Sequence, residues 1–299
     1  MKTTFLSFLL LLTAIPSMRG QAGVTTFSYR IGEFELVLLS EGQQKGNVSI
    51  LIGATPDILN RYVPRGTFPN AVNAFLLKKP GQNILIDTGF GNELFRNLEK
   101  AGVSPADIHI ILITHMHGDH IEGLLREGEK KFPNAEVYIP KPEYDYWTST
   151  EERGKAPEGK RGGFENARQI VKIYGDRIRL FEPGRLDSEG EELVSGISAI
   201  AAYGHTPGHT MYLLQSKGEK LLVWGDLTHA MAVQMPHPEI AVTYDVDPSQ
   251  AAQSRKKVLH YVSTKQIPIA GMHISFPAIG SISKNEENGY IFTPVPHPK

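Results

Sequence analysis

Cysteine does not occur among the 299 residues. Its absence excludes disulfides, a thiolate nucleophile, a cysteine-ligated metal site and a lipid-anchored N-terminal cysteine. An excess of one charge is missing too: 31 Lys and Arg face 32 Asp and Glu, a net −1. No global basic field is therefore available to hold nucleic acid. Repeats and low-complexity tracts are absent. With 40% hydrophobic and 21% charged positions, the chain is neither disordered, collagenous nor a polytopic membrane protein. What stands out is histidine, with 11 residues.

The N-terminus reads as an export signal. Lys2 supplies a positive start, and the apolar run Phe5–Ile15 ends at Pro16. That run is well short of the roughly 20 residues a membrane-crossing helix needs, which argues against stable membrane insertion. Gly20 and Ala22 are small residues two apart, suiting cleavage before Gly23, with cleavage before Gln21 as the alternative. The expected division is a signal peptide over 1–22 and a single domain over 23–299, exported to the periplasm or secreted. The missing cysteines do not oppose export, because a mature domain of this size can build a core without disulfides.

Strand-like and helical runs alternate along the mature chain. Phe34–Leu39 reads as a strand, and Asn73–Leu77 with Ile84–Ile86 as a hairpin around Lys79-Pro80-Gly81-Gln82. Asn92–Ala101 fits a helix stopped by Gly102, and Ile108–Ile113 is the continuous apolar run of a buried strand. Glu136–Ile139, Arg177–Phe181 and Ile197–Ala202 continue the strands, and Met211–Leu214 pairs with Leu221–Trp224. Pro248–Val262 is the clearest helix, with Asp247 as its N-cap, and Ile267–Ala270 reads as the last core strand. The order predicts a layered α/β domain, sheets inside and helices outside. Residues 140–163, polar and glycine-rich, read as a surface loop or lid beside a short helix around Pro142–Thr148.

The run Thr114-His115-Met116-His117-Gly118-Asp119-His120 follows the buried strand directly. In extended backbone, His115 and His117 point to one side, and Gly118 permits a turn that brings Asp119 and His120 to the same space. Imidazole and carboxylate are the ligands zinc accepts when thiolate is absent.

This run resembles the HxHxDH signature of the metallo-β-lactamase superfamily, and further motifs appear in the family's order. They are Gly204-His205-Thr206-Pro207-Gly208-His209-Thr210, Trp224-Gly225-Asp226 and Gly271-Met272-His273, with Leu85-Ile86-Asp87-Thr88-Gly89 upstream. The resemblance covers roughly residues 72–276. It implies an αβ/βα four-layer sandwich with two divalent metal ions, zinc by expectation, at one edge. Carried over by position, one ion takes His115, His117 and His209. The other takes Asp119, His120 and His273, with Asp226 shared and Asp87 orienting a ligand imidazole. His205 is expected to shape the turn before His209, and His109, His237, His260 and His297 to be core or surface residues.

Departures from related branches narrow the reading. Cysteine-ligand β-lactamases are excluded, flavodiiron reductases carry a carboxylate where His117 stands, and the RNA-processing branch favours basic surface that this chain lacks. The stretch from Leu222 to Pro238 looks most like methyl parathion hydrolase and exported lactonases. The implied activity is hydrolysis of a small-molecule ester or lactone, N-acyl homoserine lactones included, with phosphotriesters or aryl esters as the alternative. A metal-stabilised lactone-binding protein without turnover is the non-enzymatic rival, and a homodimer is left open. Asp119, Asp226 and His229 are expected at the reacting groups. His229 would either donate to the developing oxyanion or protonate the leaving group, or else be a rim residue. Phe68, Trp147, Met231 and Phe276 are expected to supply apolar substrate contacts.

Overall fold

The computed structural model describes residues 26–287 and 289–296; the expected signal peptide and His297 lie outside them. Two seven-stranded sheets dominate. The first runs, in spatial order, Thr26–Ile31, Phe34–Asn47, Thr67–Lys79, Gln82–Ile86, Ile108–Leu112, Glu136–Pro140 and Ile178–Phe181. The second runs Glu191–Val194, Ile197–Ala201, Thr210–Ser216, Glu219–Val223, Ile269–Ala270, Ile279–Lys284 and Tyr290–Pro294. Both are mixed. In the first, hairpins give way to parallel pairing from Gln82–Ile86 onward; in the second, a single parallel pair, Glu219–Val223 with Ile269–Ala270, interrupts antiparallel pairing.

Side-chain alternation explains the layering. Successive residues of a strand face opposite sides, so Leu36 and Leu38 join the core between the sheets, together with Phe75, Leu77, Ile84 and Ile86. Val37, Leu39, Leu76 and Leu85, out of phase by one, face the helices Leu94–Lys100, Lys141–Thr148 and Arg161–Tyr174. Helix Pro248–Lys265 covers the second sheet with Val258, Leu259 and Val262. The result is helices, sheet, sheet, helix, the four-layer sandwich the sequence motifs implied. Central strands buried on both faces read as nearly continuous apolar runs, as Ile108–Ile113 does apart from the exposed His109. The Asp247 side chain accepts from the Gln250 N–H and caps its helix as expected. Among the described residues, no helix is long and apolar enough to cross a membrane.

Two expectations are corrected. Ile269–Ala270 is not the last core strand, since Ile279–Lys284 and Tyr290–Pro294 extend the sheet beyond it. Residues 140–163 are mainly helical rather than a loop. Ser149 caps the short helix Thr150–Lys155 by accepting from the Glu152 N–H. Arg161–Tyr174 then buries Phe164, Ala167, Ile170 and Tyr174 along one face. Helical spacing of those four outweighs the local glycine content, because burial of an amphipathic stripe stabilises a helix more than intrinsic propensity does.

Parallel strands bring their C-terminal ends to one edge. There Gln82–Ile86 leads into Asp87, Ile108–Leu112 into the 114–120 segment, Glu219–Val223 into Asp226 and Ile269–Ala270 into His273. The segment after Asp226 is pinned from beneath. Arg255, 1% exposed, donates to the carbonyls of Leu227 (2.7 Å), Pro238 (2.9 Å) and Ile240 (2.8 Å). Burial pulls its pKa down to about 10, so the guanidinium is still charged at neutral pH. The Gln234 amide oxygen accepts from the N–H groups of His229 and Ala230.

Candidate metal centre

Asp226, 2% exposed, sits among five imidazoles. Its Oδ2 lies 2.9 Å from His273 Nε2, 3.1 Å from His229 Nε2, 3.3 Å from His205 Nε2 and 3.6 Å from His115 Nε2. Its Oδ1 lies 3.1 Å from His120 Nε2. Two groups of donor atoms share it: His115, His117 and His205 on one side, Asp119, His120 and His273 on the other, the atoms of each group lying within 4.8 Å of one another.

The arrangement fits a pair of metal ions. Within the first group, His117 Nδ1 stands 3.1 Å from His115 Nε2 and 3.0 Å from His205 Nε2, a convergence of basic nitrogens more suited to a shared cation than to one another. Nitrogens on the far side of the rings are anchored instead. Asp87 Oδ2 holds His120 Nδ1 at 2.7 Å, Asp245 Oδ1 holds His205 Nδ1 at 2.8 Å and the Ala71 carbonyl holds His273 Nδ1 at 2.8 Å. Such partners fix ring tautomer and direction in metal sites. His120 Nε2 and Asp226 Oδ1, although 3.1 Å apart, are not aligned for a hydrogen bond, and with His229 Nδ1 they are buried atoms without a hydrogen-bond partner, a rare condition for interior polar atoms. Nitrogen and oxygen donors without sulfur suit zinc and its first-row neighbours.

Charge follows the same geometry. Burial raises the cost of the Asp226 carboxylate, yet the surrounding imidazoles, His120 and His273 foremost, hold it well below the usual carboxylate range. Burial likewise opposes charge on His205, but hydrogen bonds to Asp226 and Asp245 raise it to about 9. His120 and His273 are raised in the same way, chiefly by Asp226 against their own burial. Burial dominates at His115 and His117, which fall well below the ordinary value. It also lowers His229 to about 4 and His209 to about 3.

The expected third ligand of the first group is corrected: His205 occupies that position and His209 does not. His209 directly precedes the strand Thr210–Ser216, and both its ring nitrogens are engaged in the scaffold. Nδ1 faces the Ala202 carbonyl at 3.0 Å, and Nε2 accepts from the Asp226 N–H at 2.9 Å. A Cβ at Gly225, whose φ is +59°, would fall 2.5 Å from that Nε2, so glycine is needed where the ring supports the turn carrying Asp226. Both histidines sit in similar Gly-His-Thr contexts, and only the backbone path separates them. Asp245, absent from the sequence reading, lies 40 residues from the ring it orients; no local spacing announces it.

The other expected residues divide. Asp87 is fully buried in a left-handed conformation (φ +55°), held by the Thr114 N–H (2.8 Å) and hydroxyl (2.7 Å) with the same carboxylate that faces His120. A non-glycine residue at such φ costs energy, which its hydrogen bonds offset. His229 is in the cluster, its ring 4.6 Å from His273 and 4.9 Å from His205. Above the cluster opens a cavity of about 850 Å³ whose walls include Trp147 together with Phe90, Tyr146, Phe164 and Tyr244. Phe68, Met231 and Phe276 are not among its walls, which corrects three expected substrate contacts. Phe68 is buried against Gly46 in a small separate core with Val63 and Val233. Met231 accepts from the Thr228 hydroxyl through its sulfur, and Phe276 meets Phe27 edge-on at 5.9 Å. Loop membership in the sequence does not say on which side of a sheet edge a side chain lands.

Comparison with known proteins agrees with this geometry. The family described as "Metallo-beta-lactamase superfamily" matches residues 67–266. Among curated proteins, a ribonuclease Z of Streptomyces avermitilis is 46% identical over 52 residues, 17% of each chain; the similarity thus spans under a fifth of that relative. Solved structures match far more completely. The hydrolase AbOPH, of the β-lactamase superfamily, superposes with a TM-score of 0.83 at 28% identity, covering 92% of this chain and 99% of that one. AidC, a dizinc quorum-quenching lactonase solved with the product N-hexanoyl-L-homoserine, does so with a TM-score of 0.83 at 26% identity, covering 92% and 98%. Motif order, sandwich architecture, the paired His and Asp groups and a family match over more than half the chain converge on one conclusion: the protein belongs to the metallo-beta-lactamase superfamily.

Proposed function

We propose that the protein is a dinuclear metal-dependent hydrolase of lactone and ester bonds, with N-acyl homoserine lactones within its substrate range. The observation that carries this reading is the pair of His and Asp groups joined by Asp226 at the floor of a cavity with a partly aromatic wall. His115, His117 and His205 would hold one ion, and Asp119, His120 and His273 the other, with Asp226 contributing to both. When bound, two divalent ions, zinc by preference, lower the pKa of water and polarise the oxygen of a scissile group.

The chain's own residues supply the rest. Asp87 and Asp245 hold His120 and His205 in one orientation before substrate binds. Asp226 is anionic across the neutral range and would supply negative charge to both ions. His229, close to Asp226 Oδ2, is placed to donate from Nε2 to oxygen charge developing in the transition state. Phe90, Tyr146, Trp147 and Phe164 give the cavity an aromatic stretch of wall, which favours an apolar acyl or aryl group. That wall also supports the second reading, hydrolysis of aryl esters or phosphotriesters, since a flat leaving group stacks on it as well as an alkyl chain does.

Metal analysis and a substrate panel test the reading together. Purified protein saturated with zinc should hold two ions per chain and turn over N-hexanoyl homoserine lactone or a nitrophenyl ester. A single ion at full activity would refute the dinuclear reading. Two ions without turnover of any lactone, aryl ester or phosphotriester would favour a metal-stabilised binding protein instead.

Export is part of the proposal, supported by Lys2, the Phe5–Ile15 run and the small residues at 20 and 22. Intact mass of protein recovered from its native host should correspond to a chain beginning at Gln21 or Gly23. Recovery of a full-length chain starting at Met1 would overturn it.

A further inference from the structure

Glu143 has no counterpart in the metal groups, yet its carboxylate is completely buried on the helix Lys141–Thr148. Both oxygens face only donors. Oε2 accepts from the Met116 N–H at 3.0 Å and from the Trp147 indole N–H at 2.7 Å, while Oε1 accepts from the Gly208 N–H at 2.7 Å. Burial pushes its pKa up, and the Thr206 side chain together with these donors pulls it down. Met116 lies between His115 and His117, and Gly208 closes the short turn that begins at His205. The approach to that turn is tight: a Cβ at Gly208 would fall 2.4 Å from the Glu143 backbone nitrogen, a contact no other residue could make.

Three of the four side chains of the first metal group therefore sit on two loops that one carboxylate joins. The 114–117 loop leaves the first sheet and the 204–209 loop enters the second; the Thr210 N–H donates to the Thr114 carbonyl at 2.9 Å and ties their bases, while Glu143 joins them farther out, beside the ligands. The other group has no such clamp from Glu143; His120 rests on Asp87 and His273 on the Ala71 carbonyl. Trp147, sharing Oε2, ties the cavity wall to the same anchor.

We propose that Glu143 is a positioning residue that sets the spacing of the His115–His117 and His205 loops, and thereby the metal affinity of that group selectively. The inference rests on the two groups holding metal ions. Chemistry makes the requirement stringent: an amide in place of the carboxylate would turn an NH₂ toward an N–H donor, so Glu143→Gln cannot satisfy all three partners.

Titration of metal-free protein with Co²⁺, followed by its visible absorption bands and by equilibrium dialysis, tests this. Wild-type protein should take up two ions. In Glu143→Gln, one binding step should weaken about 10–100-fold, the range for loss of a group that orients metal ligands, and the other should stay within about threefold. In a His273→Ala background, which disables the second group, the remaining step should be the one that Glu143→Gln weakens. Two unchanged steps, or equal weakening of both alongside a general loss of thermal stability, would overturn the proposal, since a merely structural role lowers stability without choosing a site. If Glu143→Gln is not recovered folded, Glu143→Asp carries the test. Its shorter arm keeps the charge but spans the two loops poorly, so the same step should weaken by a smaller factor, and unchanged affinities would overturn the proposal. Wild-type protein that takes up no Co²⁺ would refute the dinuclear reading itself, a result distinct from selective failure at Glu143.

Discussion

Asp226→Asn should release metal from both groups and lower turnover by more than about 10³-fold. One carboxylate faces donors of both groups, so its loss removes a ligand from each ion at once. Metal stabilisation of transition-state charge amounts to several kcal/mol, and each ~1.4 kcal/mol is about a factor of ten in rate. Elemental analysis and steady-state kinetics check the two parts separately. Full zinc content with activity within tenfold of wild type would sink the shared-ligand role.

The same substitution should have a pH-dependent effect on the metal-free protein. His120, His205 and His273 are raised above the ordinary imidazole value by Asp226, His205 to about 9. A raised imidazole pKa contributes stability that is fully present below the unfolded value of about 6.5 and is lost as pH rises through the folded one. The Asp226 carboxylate, depressed in the folded state, contributes above about 3.8 and loses that contribution only as pH falls through its folded value. Both contributions coincide near pH 5–6. Thermal unfolding of chelator-treated protein should therefore show a larger gap between wild type and Asp226→Asn at pH 5.5 than at pH 9.5. An equal gap at both would mean that charge pairing at Asp226 does not stabilise the fold.

His229→Ala should lower kcat by about 10²–10³ while both ions stay bound, the usual cost of removing one preorganised donor to a developing oxyanion. The ring is nearly inaccessible, lies between His205 and His273, and points Nε2 toward Asp226. Its lowered pKa keeps it neutral near pH 7, which suits a hydrogen-bond donor better than a charged acid. An oxyanion donor acts alike on all esters, so an alkyl lactone and a nitrophenyl ester should lose activity equally. A loss confined to the lactone would assign the ring to leaving-group protonation instead, because nitrophenolate departs without a proton. A change under about threefold on both substrates would make it a bystander. Zinc content measured in parallel separates these results from loss of an ion.

The central strands and the metal motif were legible because their signals are local. Ile108–Ile113 is apolar at every position but one, and His115, His117, Asp119 and His120 follow within seven residues, so chain geometry alone brings them together. The turn at Pro80-Gly81 and the cap at Asp247 are equally local, each set by one or two residues' backbone preferences. The helix Arg161–Tyr174 is legible only in the spacing of Phe164, Ala167, Ile170 and Tyr174, because the glycines at and before its start read as a loop.

Sequence by itself determined the layered α/β order, the identity of most candidate ligands and the absence of thiolate chemistry. Only the tertiary structure decided between His205 and His209, and placed Asp245, Glu143 and Arg255 around the centre. It also removed Phe68, Met231 and Phe276 from the cavity wall. Motif spacing limits what a stretch of backbone can reach, but a ring's direction depends on which carbonyl, carboxylate or N–H from another strand claims its second nitrogen. Those partners lie far away in the chain, His205 with Asp245 and His209 with Ala202 and Asp226, and come together only when the two sheets pack.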